Sequence, residues 1–261
     1  MIITLTTDFG TRDGFVGVMK GVILGIAPDV HIVDISHGIS PQNIEEAGII
    51  LARQVGYFPP DSIHVVVVDP GVGTERRPIA AQIGSQRFVA PDNGVLTPIY
   101  EHAEAEEQPI KIVHTDKPEF WLENISNVFH GRDIFAPVAA HWAAGVKLAK
   151  LGKTIDDPVR LPTPKPRATA NGLIGQISHI DRFGNLISNI HRSDLGDREV
   201  ARVEVFGEAL EEVVRTFGDR EPGSLVILYS SSDHLTISVV NGNAARELNA
   251  ATGDPFEVEF K

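Results

Sequence analysis

Carboxylates, an arginine pair and one histidine stand where apolar runs end and loops begin. Asp8 follows Ile2–Thr6. Asp69 follows the valine run Val65–Val68 and leads on to Arg76 and Arg77, while Asp92 and Asn93 follow Arg87–Ala90. His130 and Arg132 lie in Phe129-His-Gly-Arg-Asp133, just before an apolar stretch. Several such loops converging on one sheet edge would build a polar, partly desolvated site. The same acids could instead hold Mg²⁺ and serve a phosphohydrolase, or merely line a binding pocket that turns nothing over. Taken singly, each has an ordinary structural use: an Asp after a strand caps a turn, and Asp13, Asp92 and Asp133 suit that use. Gly71 and Gly73 resemble a phosphate cradle, but no Lys-Ser/Thr pair follows them, which disfavours a P-loop. Further along, Ile180–Ile190 reads as strand, turn, strand with Asn185 near a left-handed position. Ser230-Ser-Ser232 offers hydroxyls and amides that could grip a carboxylate or an amine.

The elements that must position these groups fall into two parts. From Ile2 to about Lys150, β-branched runs alternate with helical spacing, the pattern of strand–helix–strand units around a mostly parallel sheet. The strands expected are Ile2–Thr6, His31–Ile35, Ile63–Val68, Ile79–Ile83, Arg87–Ala90 and Ile110–His114. The helices expected are Gly14–Ile26, Ile44–Gln54 and Asp133–Ala144. Val65–Val68 is apolar on both faces, which predicts a central strand. Open sheets of this kind bind ligands beyond the carboxyl ends of their strands, where the polar clusters lie. Leu161-Pro-Thr-Pro-Lys-Pro166 then forbids regular structure. After it come short strands at turn-punctuated intervals: Leu173–Ile180, Val200–Val205, Leu225–Tyr229, Leu235–Val240 and Phe256–Phe260. The expectation is an α/β, sandwich-like N-terminal domain over residues 1–160, a Pro-rich linker over 161–171, and a small antiparallel β-barrel over 172–261.

Composition narrows the function. The 261 residues, 42% of them hydrophobic and 22% charged, can build a substantial core. A net charge of −12 disfavours nucleic acid and anionic membrane as partners. With no cysteine, disulfides, thiolate chemistry and Cys-ligated metals are excluded, and a reducing, cytoplasmic setting is expected. The N-terminus lacks the basic start and apolar run of a signal peptide, and no apolar stretch is long enough to span a bilayer.

In order along the chain stand Thr7-Asp-Phe-Gly10, Val16-Gly-Val-Met-Lys-Gly21, Val68-Asp-Pro-Gly-Val-Gly-Thr74 and Ala90-Pro-Asp-Asn-Gly94. Phe129-His-Gly-Arg-Asp133, Asp181-Arg-Phe-Gly-Asn185 and Gly242-Asn-Ala-Ala245 complete the series. Together they resemble the S-adenosyl-L-methionine (SAM) hydroxide adenosyltransferase family, relatives of the SAM-dependent fluorinases and chlorinases. The resemblance implies hydrolysis of SAM to adenosine and L-methionine, with SAM as substrate and neither cofactor nor metal. It implies a homotrimer with the site between subunits. By motif, the hydrolytic trio falls on Asp69, Arg76 and His130, with Arg77 one residue away from the arginine position. Asp8 matches the carboxylate that holds the ribose hydroxyls. Asp181 and Ser231 match groups around the methionine end, Asn185 matches an adenine contact, and Phe217 is a candidate adenine stacker. The halide users carry aromatics where this chain has Asp69 and His130, and a serine where it has Gly131, so the resemblance is to the water-using branch. An aromatic residue that those relatives place over the substrate is Gln42 here.

Overall fold

The computed structural model describes residues 1–261 and divides into two compact units, Met1–Pro162 and Thr163–Lys261. In the first unit the chain runs β1 (Ile2–Thr7), α1 (Phe15–Ile26), β2 (His31–Ser36), α2 (Ile44–Gln54), β3 (Ile63–Val67), β4 (Pro78–Ile83) and β5 (Gln86–Pro91). It continues through α3 (Thr97–Ala105), β6 (Ile110–His114), α4 (Ala136–Ala143), α5 (Leu148–Leu151) and β7 (Lys153–Ile155). These strands form one sheet in the order β2-β1-β3-β5-β4-β6-β7.

The sheet is mixed. β2, β1, β3 and β5 are parallel to one another, whereas β4, β6 and β7 pair antiparallel. The change of direction has a local cause: Gly84-Ser85 alone joins β4 to β5, a hairpin link far too short for a parallel crossover. β3 lies inside the sheet, and its period-2 alternation sends Val65 and Val67 to one face and Val66 and Val68 to the other. The first face packs against Val16, Met19 and Ile23 of α1 and against Val138, Ala139 and Trp142 of α4. The second packs against Leu51 of α2 and Ile99 and Tyr100 of α3.

α2 starts cleanly because the Asn43 side chain accepts from Glu46 N at 3.0 Å and two glutamates occupy its first turn. α3, with Pro98 in its first turn, is a helix the sequence reading did not anticipate.

The second unit is an antiparallel, barrel-like sheet. It contains β8 (Arg167–Ala168), β9 (Gly172–Ile180), β10 (Leu186–His191), β11 (Val200–Val205), β12 (Glu208–Leu210), β13 (Leu225–Tyr229), β14 (His234–Val239) and β15 (Pro255–Phe260). The order is β12-β11-β15-β9-β10-β14-β13, with β8 on β9. Its core gathers Ile177, Leu186, Ile190, Val203, Ile227, Ile237 and Phe256, inward positions of successive strands.

Candidate functional site

Parallel strands β1, β3 and β5 point their carboxyl ends to one edge of the first sheet, and the start of antiparallel β4 reaches the same edge, since Pro78 pairs with Pro91. Asp8, Asp69, Arg76, Arg77, Asp92 and Asn93 therefore share that edge. The segment from Asp69 to Arg77 is held by its own turns. Val72 N donates to Asp69 O at 3.2 Å, Thr74 Oγ1 to Gly71 O at 2.7 Å and Arg76 N to Thr74 Oγ1 at 3.3 Å. Gly73 has φ +77° and presses against the Asn127 carbonyl. No helix follows, so the glycines serve a turn and not a phosphate cradle.

His130 sits at the entry of a wide π turn, Gly131–Phe135, that leads into α4. Pro137 explains the widening. It has no N–H to give to the Asp133 carbonyl, which accepts instead from Leu122 N at 2.9 Å, and Ala136 N reaches back five residues to Gly131 O. Buried Asp133 accepts from Ser126 N at 2.7 Å and Arg132 Nε at 2.5 Å, which ties the preceding loop to the turn. Gly131 has room for little else, since a Cβ there would lie 3.2 Å from Met19 Sδ and 3.3 Å from Val67 Cγ1.

Asp69, Arg76 and His130 come together. Arg76 Nε donates to Asp69 Oδ1 at 3.0 Å, Arg76 Nη2 pairs with Asp69 Oδ2, and the same Nη2 lies 3.1 Å from His130 Nδ1. The Asp69 and Arg76 side chains are buried, at 4% and 7% exposure. Arg76 Nη1 is also buried and has no hydrogen-bond partner, and the guanidinium stacks 5.2 Å from the Phe135 ring. Burial pushes the Asp69 pKa above the ordinary carboxylate value, and Arg76, His130 and the Gly71 amide offset only part of that rise. Burial, reinforced by the Arg76 charge, pushes His130 below the ordinary imidazole value against the pull of Asp69 and Asp133. A guanidinium can only donate, so His130 Nδ1 is the acceptor; the neutral ring then carries its proton on Nε2.

Arg77 turns the other way. It donates from Nε to Asp92 Oδ2 at 2.8 Å and from Nη1 to Asp157 Oδ1 at 2.8 Å, while Asp92 Oδ1 accepts from Val159 N at 2.8 Å. Arg77 and Asp92 are thus a clamp on residues 157–159. Asn93 braces the end of β3 through Val68 O at 2.9 Å.

Asp8 Oδ2 accepts from Gln42 N at 2.8 Å, and Gln42 holds a left-handed φ of +66°. The flanking residue Phe9 joins Phe15 and Phe129 in an edge-on aromatic cluster, with centroids 5.2 to 5.8 Å apart. That cluster places the Asp8 loop beside the residue that precedes His130. Neither the cluster nor the Gln42 strain was read from the sequence; the only visible signal was three phenylalanines next to polar motifs.

Asp181, Asn185, Ser231 and Phe217 all lie in the second unit. Asp181 accepts from Phe183 N and Asn185 N, each at 2.9 Å, and from Asn185 Nδ2 at 2.7 Å. The left-handed residue of that turn is Gly184, at φ +86°, and not Asn185; its hydrogen faces the Asn243 side chain, which a Cβ would strike. Ser231 is exposed in the turn between β13 and β14, and Phe217 opens a short 3₁₀ turn with its ring 41% exposed. Of these four, only Asp181 and Asn185 bond to each other.

Two family models match the chain: the SAM hydroxide adenosyltransferase N-terminal domain over residues 3–152 and the corresponding C-terminal domain over residues 175–257. A Salinispora tropica protein named (R)-S-adenosyl-L-methionine hydrolase is 36% identical, over 98% of this chain and 97% of its own length. A Nocardia brasiliensis protein named fluorinase is 30% identical over 99% and 96%. Among solved structures, an uncharacterized conserved protein from Thermotoga maritima superposes with a TM-score of 0.89 at 38% identity, covering 99% of both chains.

Proposed function

The chain belongs to the SAM hydroxide adenosyltransferase family, and from that membership we propose that it hydrolyses SAM, water attacking the ribose C5′ to give adenosine and L-methionine. The observation that carries the reading is the buried pairing of Asp69 with Arg76, with His130 on the same guanidinium. Methionine leaves a sulfonium as a neutral thioether and needs no acid. The demand falls on the nucleophile, since water has a pKa of about 15.7 and must be held in line and relieved of a proton. Asp69, with its raised pKa, is the base that takes that proton and later returns it to solvent. Neutral His130 presents Nε2–H as a donor that orients the water, and Arg76 Nη1 contributes a further donor. The C5′–S bond breaks as the C5′–O bond forms, and the sulfonium charge is discharged as the proton departs.

Substrate contacts follow from the matched positions. Asp8 has one oxygen held by Gln42 and one free to accept from the ribose hydroxyls. Asp181 spends three hydrogen bonds on its own turn, which leaves about one acceptor position for the methionine ammonium. Its main effect is to aim Asn185 at the adenine, with Phe217 available to stack and Ser231 at the methionine end. We place the enzyme in the cytoplasm as a homotrimer with its site shared between subunits. Support comes from the exposed apolar residues Phe15, Val18 and Leu24 on α1 and Val33 on the edge strand β2, a surface suited to another protein. No helix is long and apolar enough to cross a membrane.

The test is incubation of the protein with SAM in H₂¹⁸O containing EDTA, with and without chloride. Adenosine labelled at the 5′ oxygen, indifferent to both additions, is expected. A chlorinated nucleoside would reassign the chain to the halide users, loss of activity in EDTA would restore the metal-dependent reading, and binding without product would leave a binding module.

A further inference from the structure

One buried histidine outside the trio is built into the edge that carries Asp8. His37 follows β2 and is 8% exposed. Its Nδ1 lies 2.8 Å from Thr7 Oγ1 and its Nε2 lies 3.1 Å from Asp34 Oδ1, whose partner oxygen Oδ2 receives Lys20 Nζ at 2.6 Å. Thr7 and His37 each hold the Asp8 loop once. Thr7 Oγ1 accepts from Phe9 N at 3.2 Å, and the His37 carbonyl accepts from Gly10 N at 2.8 Å. The two backbone amides that follow Asp8 thus have as acceptors His37 or a group that His37 holds.

The direction of each hydrogen bond can be assigned. Burial raises the Asp34 pKa, but Lys20 and His37 outweigh it and hold the group below the ordinary carboxylate value, so it is ionised and accepts only. With its proton on Nε2, toward that carboxylate, the His37 ring presents Nδ1 as an acceptor to the Thr7 hydroxyl, whose lone pairs remain for Phe9 N. Lys20 of α1, Asp34 of β2, His37 and Thr7 of β1 form one contiguous series, in which His37 Nε2 lies close to Asp34 Oδ1 without a well-aligned hydrogen bond. The β1–β2 ladder slips at this point: Leu5 pairs with Asp34 but Thr6 pairs with Ser36, the irregularity that lets the chain fold His37 inward.

We propose that His37 is a positioning residue for Asp8, fixing the Thr7–Gly10 turn so that the Asp8 carboxylate meets the two ribose hydroxyls of the substrate. The proposal rests on the reading of Asp8 as the ribose contact. His37 touches no substrate atom; its ring acts through Thr7, whose hydroxyl holds the Phe9 amide, while the His37 carbonyl holds Gly10 N and the Gln42 amide holds Asp8. The signature of such a role is selective. Loss of His37 weakens recognition of the hydroxyls and raises KM, while the water-activating trio and kcat are left nearly as they were.

The experiment compares binding of adenosine and of 2′,3′-dideoxyadenosine by titration calorimetry in the native chain, Asp8→Ala, His37→Ala, His37→Asn and Thr7→Val. The native chain is expected to prefer adenosine by at least about tenfold, roughly the worth of one or two net hydrogen bonds. Asp8→Ala should abolish that preference. His37→Ala and Thr7→Val should reduce it most of the way and raise KM for SAM with kcat changed less than about twofold, while His37→Asn, which keeps an acceptor near the Nδ1 position, should restore it. If His37→Ala does not fold, Thr7→Val and His37→Asn carry the comparison. Loss of preference in Asp8→Ala with full preference in Thr7→Val and His37→Ala would overturn the role of His37 and leave Asp8 as the ribose contact. Full preference in Asp8→Ala would overturn the reading of Asp8, and the proposal with it.

Discussion

Arg76 spends its donors in two directions, on both oxygens of Asp69 and on Nδ1 of His130, and the proposed division of roles follows from this. A histidine whose Nδ1 faces a guanidinium has no second acceptor to offer, so in the proposed mechanism proton removal falls to Asp69. Asp69→Asn, which keeps shape and loses basicity, should lower kcat by about 10²- to 10⁴-fold, the usual worth of a general base, with SAM affinity within about threefold. Single-turnover kinetics beside calorimetry would check it, and equal losses in rate and binding would contradict the assignment. The pH profile supplies a second reading of the same group. The base must be ionised, so kcat/KM falls as pH drops through the Asp69 pKa. Because burial raises that pKa, the acid limb should lie above the ordinary carboxylate range of about 4. His130, lowered and already neutral, should add no limb near neutrality. The arginine could not be chosen from residue types, since Arg76 and Arg77 are adjacent and alike. Their opposite directions along the chain separate them, one toward Asp69 and the other toward Asp92 and Asp157.

At the scale of elements, the Asp69–Arg77 turn holds the proposed catalytic pair, and Gly73 is its hinge on the fold. Alanine there would suffer twice, from a left-handed φ of +77° and from a Cβ 2.3 Å from the Asn127 carbonyl oxygen, a backbone atom that cannot swing aside. Gly145, at φ +99° with open space around it, suffers the first penalty alone. Gly145→Ala should cost about 1–2 kcal/mol and spare kcat, whereas Gly73→Ala should cost more and lower kcat by at least about tenfold as Asp69 and Arg76 part. Urea titrations and initial rates on both variants decide it; an unchanged kcat in Gly73→Ala would mean the turn does not aim the pair. Most strands were legible because β-branched runs bounded by turn residues leave few alternatives: Ile110–His114, Val200–Val205 and Leu225–Tyr229 stand as expected. Strand direction was less legible, although Gly84-Ser85 between two strands carried the hairpin signal that makes β4 antiparallel. The π turn could not be read at all. It depends on Leu122, distant in sequence, taking the carbonyl that Pro137 leaves free. α3 was missed because its acidic, Pro-started sequence has a weak apolar stripe, and β12 because a charged three-residue strand shows no period.

At the scale of the whole molecule, the first unit carries a buried titratable group at its centre, outside the proposed trio. His64 on β3 is wholly buried, with Nδ1 2.8 Å from Thr4 Oγ1, its ring stacked 5.2 Å from Phe88 and edge-on to Phe58 at 5.4 Å. Burial lowers its pKa to about 4, against 6.5 for an unhindered imidazole. Between those values the unfolded chain binds a proton that the folded chain refuses, so stability falls as pH drops from 6.5 and the loss is complete below about 4. The shift corresponds to about 3 kcal/mol, a large share of the stability of an ordinary domain. Both tryptophans, Trp121 and Trp142, lie in the first unit, so their fluorescence follows its unfolding alone. Urea titrations of the native chain at pH 7 and pH 4.5 should show that decline. The paired variant Thr4→Val with His64→Leu removes both partners of the Thr4–His64 hydrogen bond together; half-buried Gln86 loses its 3.4 Å contact from Oε1 to His64 Nε2 but keeps its bond to Phe58 O at 3.0 Å. It should retain most of the stability at pH 7 and lose most of the difference between the two pH values. A variant as acid-sensitive as the native chain would move the acid response to the paired carboxylates, whose protonation acts in the same direction but at lower pH.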